Sequence, residues 1–285
     1  MSKNTLKTYV LLAALGGFFI VAGGAIFKGP GLWLGLFLGL AMVGGSYWFS
    51  DKIAVKAARA VPVTEAEAPV LYRIVRELTI RANMPMPKLY ITPDLQPNAF
   101  ATGRSPDHAA VACTQGIMQM LSEDELKGVL AHELSHVGNR DILIGSVAAA
   151  IAMAITFVAR MAMWGAMFGG GNDRDRNPLG EIAFALLAPV AAMFLQMALS
   201  RSREFEADRN GALLLGTGEP LARALEKIEA GAKKIPMDVN PAQAQAYIVN
   251  PLTGRQMNFA KMFMTHPPTA ERVERLRKMN PARGF

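Results

Sequence analysis

Two histidines four residues apart, with a glutamate beside the first, form the stretch His132-Glu133-Leu134-Ser135-His136. On an α-helix, residues i and i+4 stack on one face, so both imidazoles can aim at a single point while the Glu133 carboxylate stands next to them. This is half of a zinc site, in which Glu133 has the position of the base that activates a water. The competing reading is an ordinary helix whose histidines face solvent or satisfy core polar groups. With four histidines in 285 residues, chance is a poor explanation of the pattern.

The local sequence predicts the helix that this pattern needs. Ser122 and Glu125 have capping-box spacing, and Leu126, Val129, Leu130, Leu134 and Val137 supply an apolar stripe before Gly138 offers a stop.

A catalytic zinc commonly takes three protein ligands and leaves a fourth position to water. Downstream, Arg203-Glu204-Phe205-Glu206-Ala207-Asp208 offers the missing carboxylate in a segment expected to be helical. Glu204 and Asp208 share a face, and Glu206 points roughly the opposite way. Glu204 is therefore the candidate third ligand, and Asp208, one turn on, is placed to accept the free N–H of a ligating histidine and fix its tautomer. Taken alone, such a run reads as a solvated face paired with Arg201 and Arg203. The upstream motif reverses that preference.

Composition indicates where these pieces sit. A hydrophobic content of 51%, 26 glycines and a mean hydropathy of +0.21 point toward a membrane and away from an ordinary soluble enzyme. The net charge of +7 could suggest nucleic acid. The basic residues, however, gather beside apolar runs without interleaved aromatics, so they read as topology signals and no nucleic-acid partner is expected. Cys113, the single cysteine, excludes an intrachain disulfide, suits a reducing compartment and reads as packing.

Four apolar runs organise the chain: Tyr9 to Phe27, Gly31 to Phe49, Ile142 to Phe168 and Leu179 to Leu199. Each is long enough for a bilayer core of about 30 Å. A cleaved signal peptide competes for the first run, but the second follows at once. For the second pair, a hairpin buried in a core or lying along the bilayer surface competes with full spanning. Arg160 lies far enough along the third run to snorkel beside Trp164. Lys3 and Lys7, Lys52, Lys56 and Arg59, and Arg140, Arg201 and Arg203 flank the hairpins, which places their open ends in the cytoplasm.

The expected organisation is a transmembrane hairpin at 1–60, the first part of a cytoplasmic domain with the zinc helix at 61–141, a second transmembrane hairpin at 142–199, and the second part of the domain, carrying the third ligand, at 200–285. Within it, Glu65 to Ala82 has helical spacing and Lys88 to Thr92 reads as a strand. Asp94 to Gly103 is turn-rich and holds Asn98-Ala99-Phe100, and His108 to Thr114 reads as a strand just before the zinc helix. An extended segment beside a metal site can pair with a substrate backbone by strand addition, although spacing alone favours a turn residue at Asn98 and a core aromatic at Phe100. Glu219-Pro220 opens a helix ending at Gly231, Pro236 to Asn258 reads as a lid or linker, and a basic helix follows Thr269. That last helix should turn Val273 and Leu276 inward and Arg272, Arg275, Arg277 and Lys278 mostly outward.

Pro97-Asn98-Ala99-Phe100-Ala101-Thr102-Gly103, the H-E-L-S-H of 132–136, the E-F-E-A-D of 204–208 and Thr265-His266-Pro267-Pro268 followed by Arg272 resemble one family at matching places. It is the HtpX family of heat-shock-associated bacterial membrane zinc proteases, in the gluzincin group that includes the CAAX prenyl protease. The resemblance covers nearly the whole chain. It implies a mainly α fold with a small β-sheet, in which four membrane helices join a cytoplasmic gluzincin-type metalloprotease domain. It also implies one Zn2+ per chain on His132, His136 and Glu204, Glu133 as base, a backbone-binding edge strand near Asn98 and Phe100, and a role for His266 near the reacting carbonyl. The expected setting is the bacterial inner membrane, with both termini and the active site cytoplasmic. Membrane-protein substrates under quality control are the expected partners, and no oligomeric state is assigned.

Overall fold

A computed structural model of the chain describes residues 48–141, 201–232 and 267–279. The four apolar runs (apart from Trp48 and Phe49), the stretch from Pro236 to Asn258, and His266 lie outside the described residues. Among the described residues no helix is long and apolar enough to cross a membrane. All of them except Trp48 belong to one compact unit.

After a short helix α1 (Ser50–Ala57) and strand β1 (Val61–Pro62), helix α2 runs over Pro69–Arg81. It starts four residues later than the apolar spacing suggests. Thr64 donates from both N and Oγ1 to Glu67 Oε2, at 2.7 and 2.8 Å, which closes a turn. Pro69 then supplies a φ suited to the first helical turn, while Ala68 before it is non-helical at φ −136°. The helix buries Leu71, Ile74, Val75 and Leu78, the i, i+3, i+4, i+7 stripe.

Strands β2 (Lys88–Thr92), β3 (Ala99–Thr102) and β4 (Ala110–Thr114) complete a four-stranded sheet in the order β1-β2-β4-β3. β2 and β4 run parallel, with Leu89 opposite Val111, and β3 is antiparallel to β4, with Phe100 opposite Ala112. β4 is buried along its whole length, which its small apolar sequence Ala-Val-Ala-Cys-Thr permits. The turn-rich stretch before Gly103 thus contains a strand, four residues long. His108, expected at the start of β4, instead ends a 3-10 turn over Pro106–His108, where proline opens the turn. A short helix α3 (Gln115–Met120) separates β4 from the zinc helix, capped by Thr114 Oγ1 accepting from Ile117 N at 3.1 Å.

Helix α4 (Glu123–Asn139) carries the two histidines and runs through the core. Ser122 Oγ accepts from Glu125 N and Glu125 Oε2 accepts from Ser122 N, a reciprocal cap of the kind that contributes about 1 kcal/mol. Acidic Glu123, Asp124 and Glu125 complement the positive end of the helix dipole. The helix ends at Arg140, which is left-handed at φ 57° and whose N–H reaches back to the His136 and Val137 carbonyls.

Helix α5, over 201–215, carries Glu204 and Asp208. Two turns beyond Glu204, a Cβ on Gly211 would stand 3.1 Å from His132 N, so the missing side chain lets α5 lie close to α4 at the first histidine. Helix α6 (Glu219–Ala232) crosses α4 at Gly128, where a Cβ would meet Leu221 N at 2.5 Å. Ion pairs Arg223 to Asp124 and Lys227 to Glu125 tie the same two helices together. Helix α7 (Thr269–Lys278) buries Val273 and Leu276 as expected. Arg272, expected mostly outward, is instead buried, for a reason that lies in the site.

Candidate metal centre

α4 places His132 and His136 one turn apart, with their Nε2 atoms 3.1 Å apart and their ring planes at 86°. α5 brings the Glu204 carboxylate to both: Oε2 lies 3.6 Å from His132 Nε2, and Oε1 lies 3.4 Å from His136 Nε2. Donor atoms about 2.0–2.1 Å from a tetrahedral ion stand roughly 3.3–3.4 Å apart, so these separations fit one small divalent cation. Two imidazoles and one carboxylate also form a donor set that leaves room for water. His132, His136 and Glu204 are the metal-compatible cluster among the described residues.

Each imidazole has a carboxylate behind it. His132 Nδ1 stands 3.0 Å from Asp208 Oδ1, at hydrogen-bond distance though off the ideal line. His136 Nδ1 lies 2.8 Å from Asp141 Oδ2. A proton held at Nδ1 leaves the Nε2 lone pair for a metal, which is the tautomer this centre requires. Burial disfavours the charged rings, but the hydrogen bonds that the Asp141 and Glu204 carboxylates accept outweigh it at His136 and push its pKa up to about 10. At His132, Asp208 and Glu204 likewise outweigh burial and raise the pKa.

Asp208 is itself held by Arg272, whose Nε and Nη2 donate to its two oxygens at 2.9 and 2.7 Å. Both side chains are 1% exposed. Arg272 Nη1 also lies 3.6 Å from Glu204 Oε2. Burial alone would push the Asp208 pKa up; the Arg272 charge and the bonds from His132 and Arg272 bring it down to about 2. Arg272 therefore turns inward because two buried carboxylates need its charge, and an unpaired buried charge is strongly unfavourable.

Glu133 is buried and its Oε2 accepts from Ala101 N at 2.9 Å. That amide belongs to the outer edge of β3. Asn98 N donates to Thr114 Oγ1, and Asn98 O accepts from Thr114 N, both at 2.9 Å, so the backbone of Asn98 turns toward β4. By strand alternation Phe100 turns the same way, leaving Ala99 and Ala101 to face the edge. The Asn98 side chain is buried and Phe100 is half-buried. His266 lies outside the described residues. Cys113 is fully buried and its thiol is pushed up to about 12, chiefly by burial, so it stays protonated and serves packing.

Sequence reasoning missed Asp141, and it named Arg272 only within the family resemblance while expecting its side chain mostly outward. Asp141 lies five residues past His136, beyond helical spacing, and the left-handed turn at Arg140 brings it back.

Comparison with known proteins gives the chain its family. A family model described as peptidase family M48 covers residues 65–280, from just before α2 through α7. The chain belongs to peptidase family M48. A protease HtpX homolog of Pelotomaculum thermopropionicum is 51% identical over 280 residues, covering 97% of this chain and 99% of the relative. One of Syntrophobacter fumaroxidans is 51% identical over 282 residues, with the same coverage. These full-length matches place this M48 chain in the HtpX group and make it a metallopeptidase. The crystal structure of S. mikatae Ste24p shares the fold, with a TM-score of 0.60 at 20% identity, over 95% of this chain and 65% of that one.

Proposed function

We propose that this M48 peptidase is a zinc-dependent endopeptidase acting on membrane or membrane-proximal proteins, including misfolded ones under quality control. The observation that carries the reading is the convergence of His132, His136 and Glu204 from two helices, with the Glu133 carboxylate buried beside them. A bound zinc ion would polarise a peptide carbonyl and lower the pKa of a water toward about 7.

The chain's own residues supply the rest. Asp141 and Asp208 hold the two rings in the tautomer that exposes Nε2. Glu133 takes the proton from the attacking water at a carboxylate oxygen and hands it to the leaving amine, so no covalent enzyme intermediate is needed. The outward backbone groups of Ala99 and Ala101 offer an edge to which an extended peptide can add as a strand, with the Asn98 side chain and Phe100 beside it. The Ala101 amide that now binds Glu133 is one of those groups, so substrate and base share one site on the strand. His266 is proposed as a donor to the carbonyl oxygen as it becomes negative.

Chain order supports a site near the membrane: one ligand pair precedes the apolar runs of 142–199 and the third ligand follows them. If these runs return to the side they left, as the flanking arginines favour, the ligands meet at the cytoplasmic face of the bacterial inner membrane.

The test is cleavage of an unfolded membrane-protein substrate by the purified full chain, with and without zinc, beside Glu133→Gln. The variant should retain the metal and lose about 10²–10⁴-fold in kcat. Parent-like cleavage by Glu133→Gln would remove Glu133 from the chemistry.

A further inference from the structure

The Glu133 carboxylate is held by backbone, on a strand that the sheet leaves open. Its Oε2 accepts from Ala101 N at 2.9 Å, and among the described residues this is the carboxylate's one hydrogen bond. Glu133 reaches the strand from α4, which packs against β3, and its side chain is buried. A hydrogen bond to an ionised acceptor is roughly twice as strong as one between neutral groups, so the resting contact ties the carboxylate firmly to the strand.

The register of β3 shows that the sheet does not use this donor. Phe100 lies opposite Ala112 and Ala101 opposite Val111, while the Asn98 backbone bonds to Thr114. Hydrogen-bonded residues alternate along an antiparallel pair, so Ala101 turns its N–H and C=O away from β4. Such an edge N–H is ordinarily available to an added strand. Here the base already occupies it. A peptide residue that pairs with Ala101 must give its carbonyl to this N–H and its own N–H to the Ala101 carbonyl. The neutral carbonyl is the weaker of the two acceptors, so it displaces the carboxylate only when the second bond forms with it. A residue inside a helix or a folded sheet has both groups committed elsewhere and cannot make the exchange.

We infer that the Ala101 amide is a specificity-determining group shared by base and substrate, from which an extended peptide segment with free backbone groups displaces Glu133 Oε2. Helical or folded segments do not displace it. The released oxygen becomes available for proton transfer only when a peptide lies on the strand. The inference rests on the proposed protease reading and deepens it, because it names the backbone conformation that the site accepts.

A double-mutant cycle on peptide affinity tests it in the zinc-loaded full chain in detergent. The probe is an uncharged, capped alanine–threonine decapeptide with a fluorescent label, and binding is read by stopped-flow anisotropy before turnover. Glu133→Ala removes the competing acceptor and should tighten binding about 3–10-fold, the worth of about one hydrogen bond. Glu133→Gln keeps a neutral acceptor and should fall between that variant and the parent. Ala101→Pro removes the donor at an edge position that tolerates proline, and it should bind the probe more weakly than the parent. In that background Glu133→Ala should no longer tighten binding, because the two changes break one link. Hydrogen exchange at the Ala101 amide gives a second readout should the proline variant not fold. Without peptide it should be faster in Glu133→Ala than in the parent, and the bound decapeptide should slow it again.

Unchanged or weaker binding in Glu133→Ala would overturn the inference. So would tightening that persists with proline at 101, which would trace it to lost charge or added space, or exchange at Ala101 that ignores Glu133. Binding needs no cleavage, so the two readings fail separately. A parent that cuts nothing would defeat the protease reading while the affinity cycle still decides this one, and a cutting parent with a flat cycle would remove this inference alone.

Discussion

His132 and His136 sit one helical turn apart, yet their surroundings differ in depth and in origin. The His132 side chain is 3% exposed and is backed by α5 and α7, through Asp208 and Arg272, from chain positions far downstream. The His136 side chain is 16% exposed and is backed by Asp141, five residues further on, across a left-handed turn at Arg140. One side is thus made by tertiary packing of distant helices and the other by a local backbone device. The difference implies that the first governs whether the domain holds together and the second how firmly the metal is held.

Arg272→Met attacks the deep side and should have the largest effect on stability. It leaves Asp208 and Glu204 buried without their cation, a change that costs about 3–5 kcal/mol. Thermal unfolding of the metal-free protein in detergent should drop sharply, and by more than it does for Asp141→Asn. The reverse order would break the comparison.

The pH dependence of metal binding bears on the shallower side. The His136 pKa is raised to about 10 from 6.5 in the metal-free protein, so at neutral pH the ring carries a proton that a metal must displace. Zinc affinity should therefore rise by up to about tenfold per pH unit for each such ring between roughly pH 7 and 9. The sign for folding is opposite. The stability that this proton gives the metal-free protein is fully present below 6.5 and is lost as pH rises toward 10. Zinc affinity that is flat across this range would remove the shifted imidazole from the account.

The smallest effect is expected at the turn itself. A non-glycine residue in the left-handed region costs roughly 1 kcal/mol, so Arg140→Gly should leave zinc affinity nearly unchanged and raise stability by less than that. Arg140→Val, a branched residue in the same conformation, should both destabilise and weaken zinc binding by pulling Asp141 away from His136. If glycine and valine behave alike, the turn does not set Asp141.

The same contrast explains what could be read from the sequence. His132, His136 and Glu133 were legible because helical periodicity alone puts them together, and Asp208 because it is one turn from Glu204. Asp141 was not, since nothing in Asn139-Arg140-Asp141 announces a left-handed arginine where glycine would be usual. Arg272 sits in a helix whose many charges read as a solvated face, and only the two buried carboxylates of α5 turn it inward. Strand β3 was implied only by the family resemblance, because its length and the turn-forming residues around it hide it from periodicity. Strand β2 and helix α6 fell close to their expected bounds, whereas α2 kept its expected end and lost its first turn to the Thr64–Glu67 turn.

The central claim is that α4 and α5 together hold one metal ion. Its most direct test is the metal content of the purified full chain by elemental analysis, in the parent and in Glu204→Ala. One zinc per chain in the parent and clearly substoichiometric zinc in the variant is the predicted result. An unchanged one-to-one content in Glu204→Ala would contradict the claim and move the third ligand elsewhere.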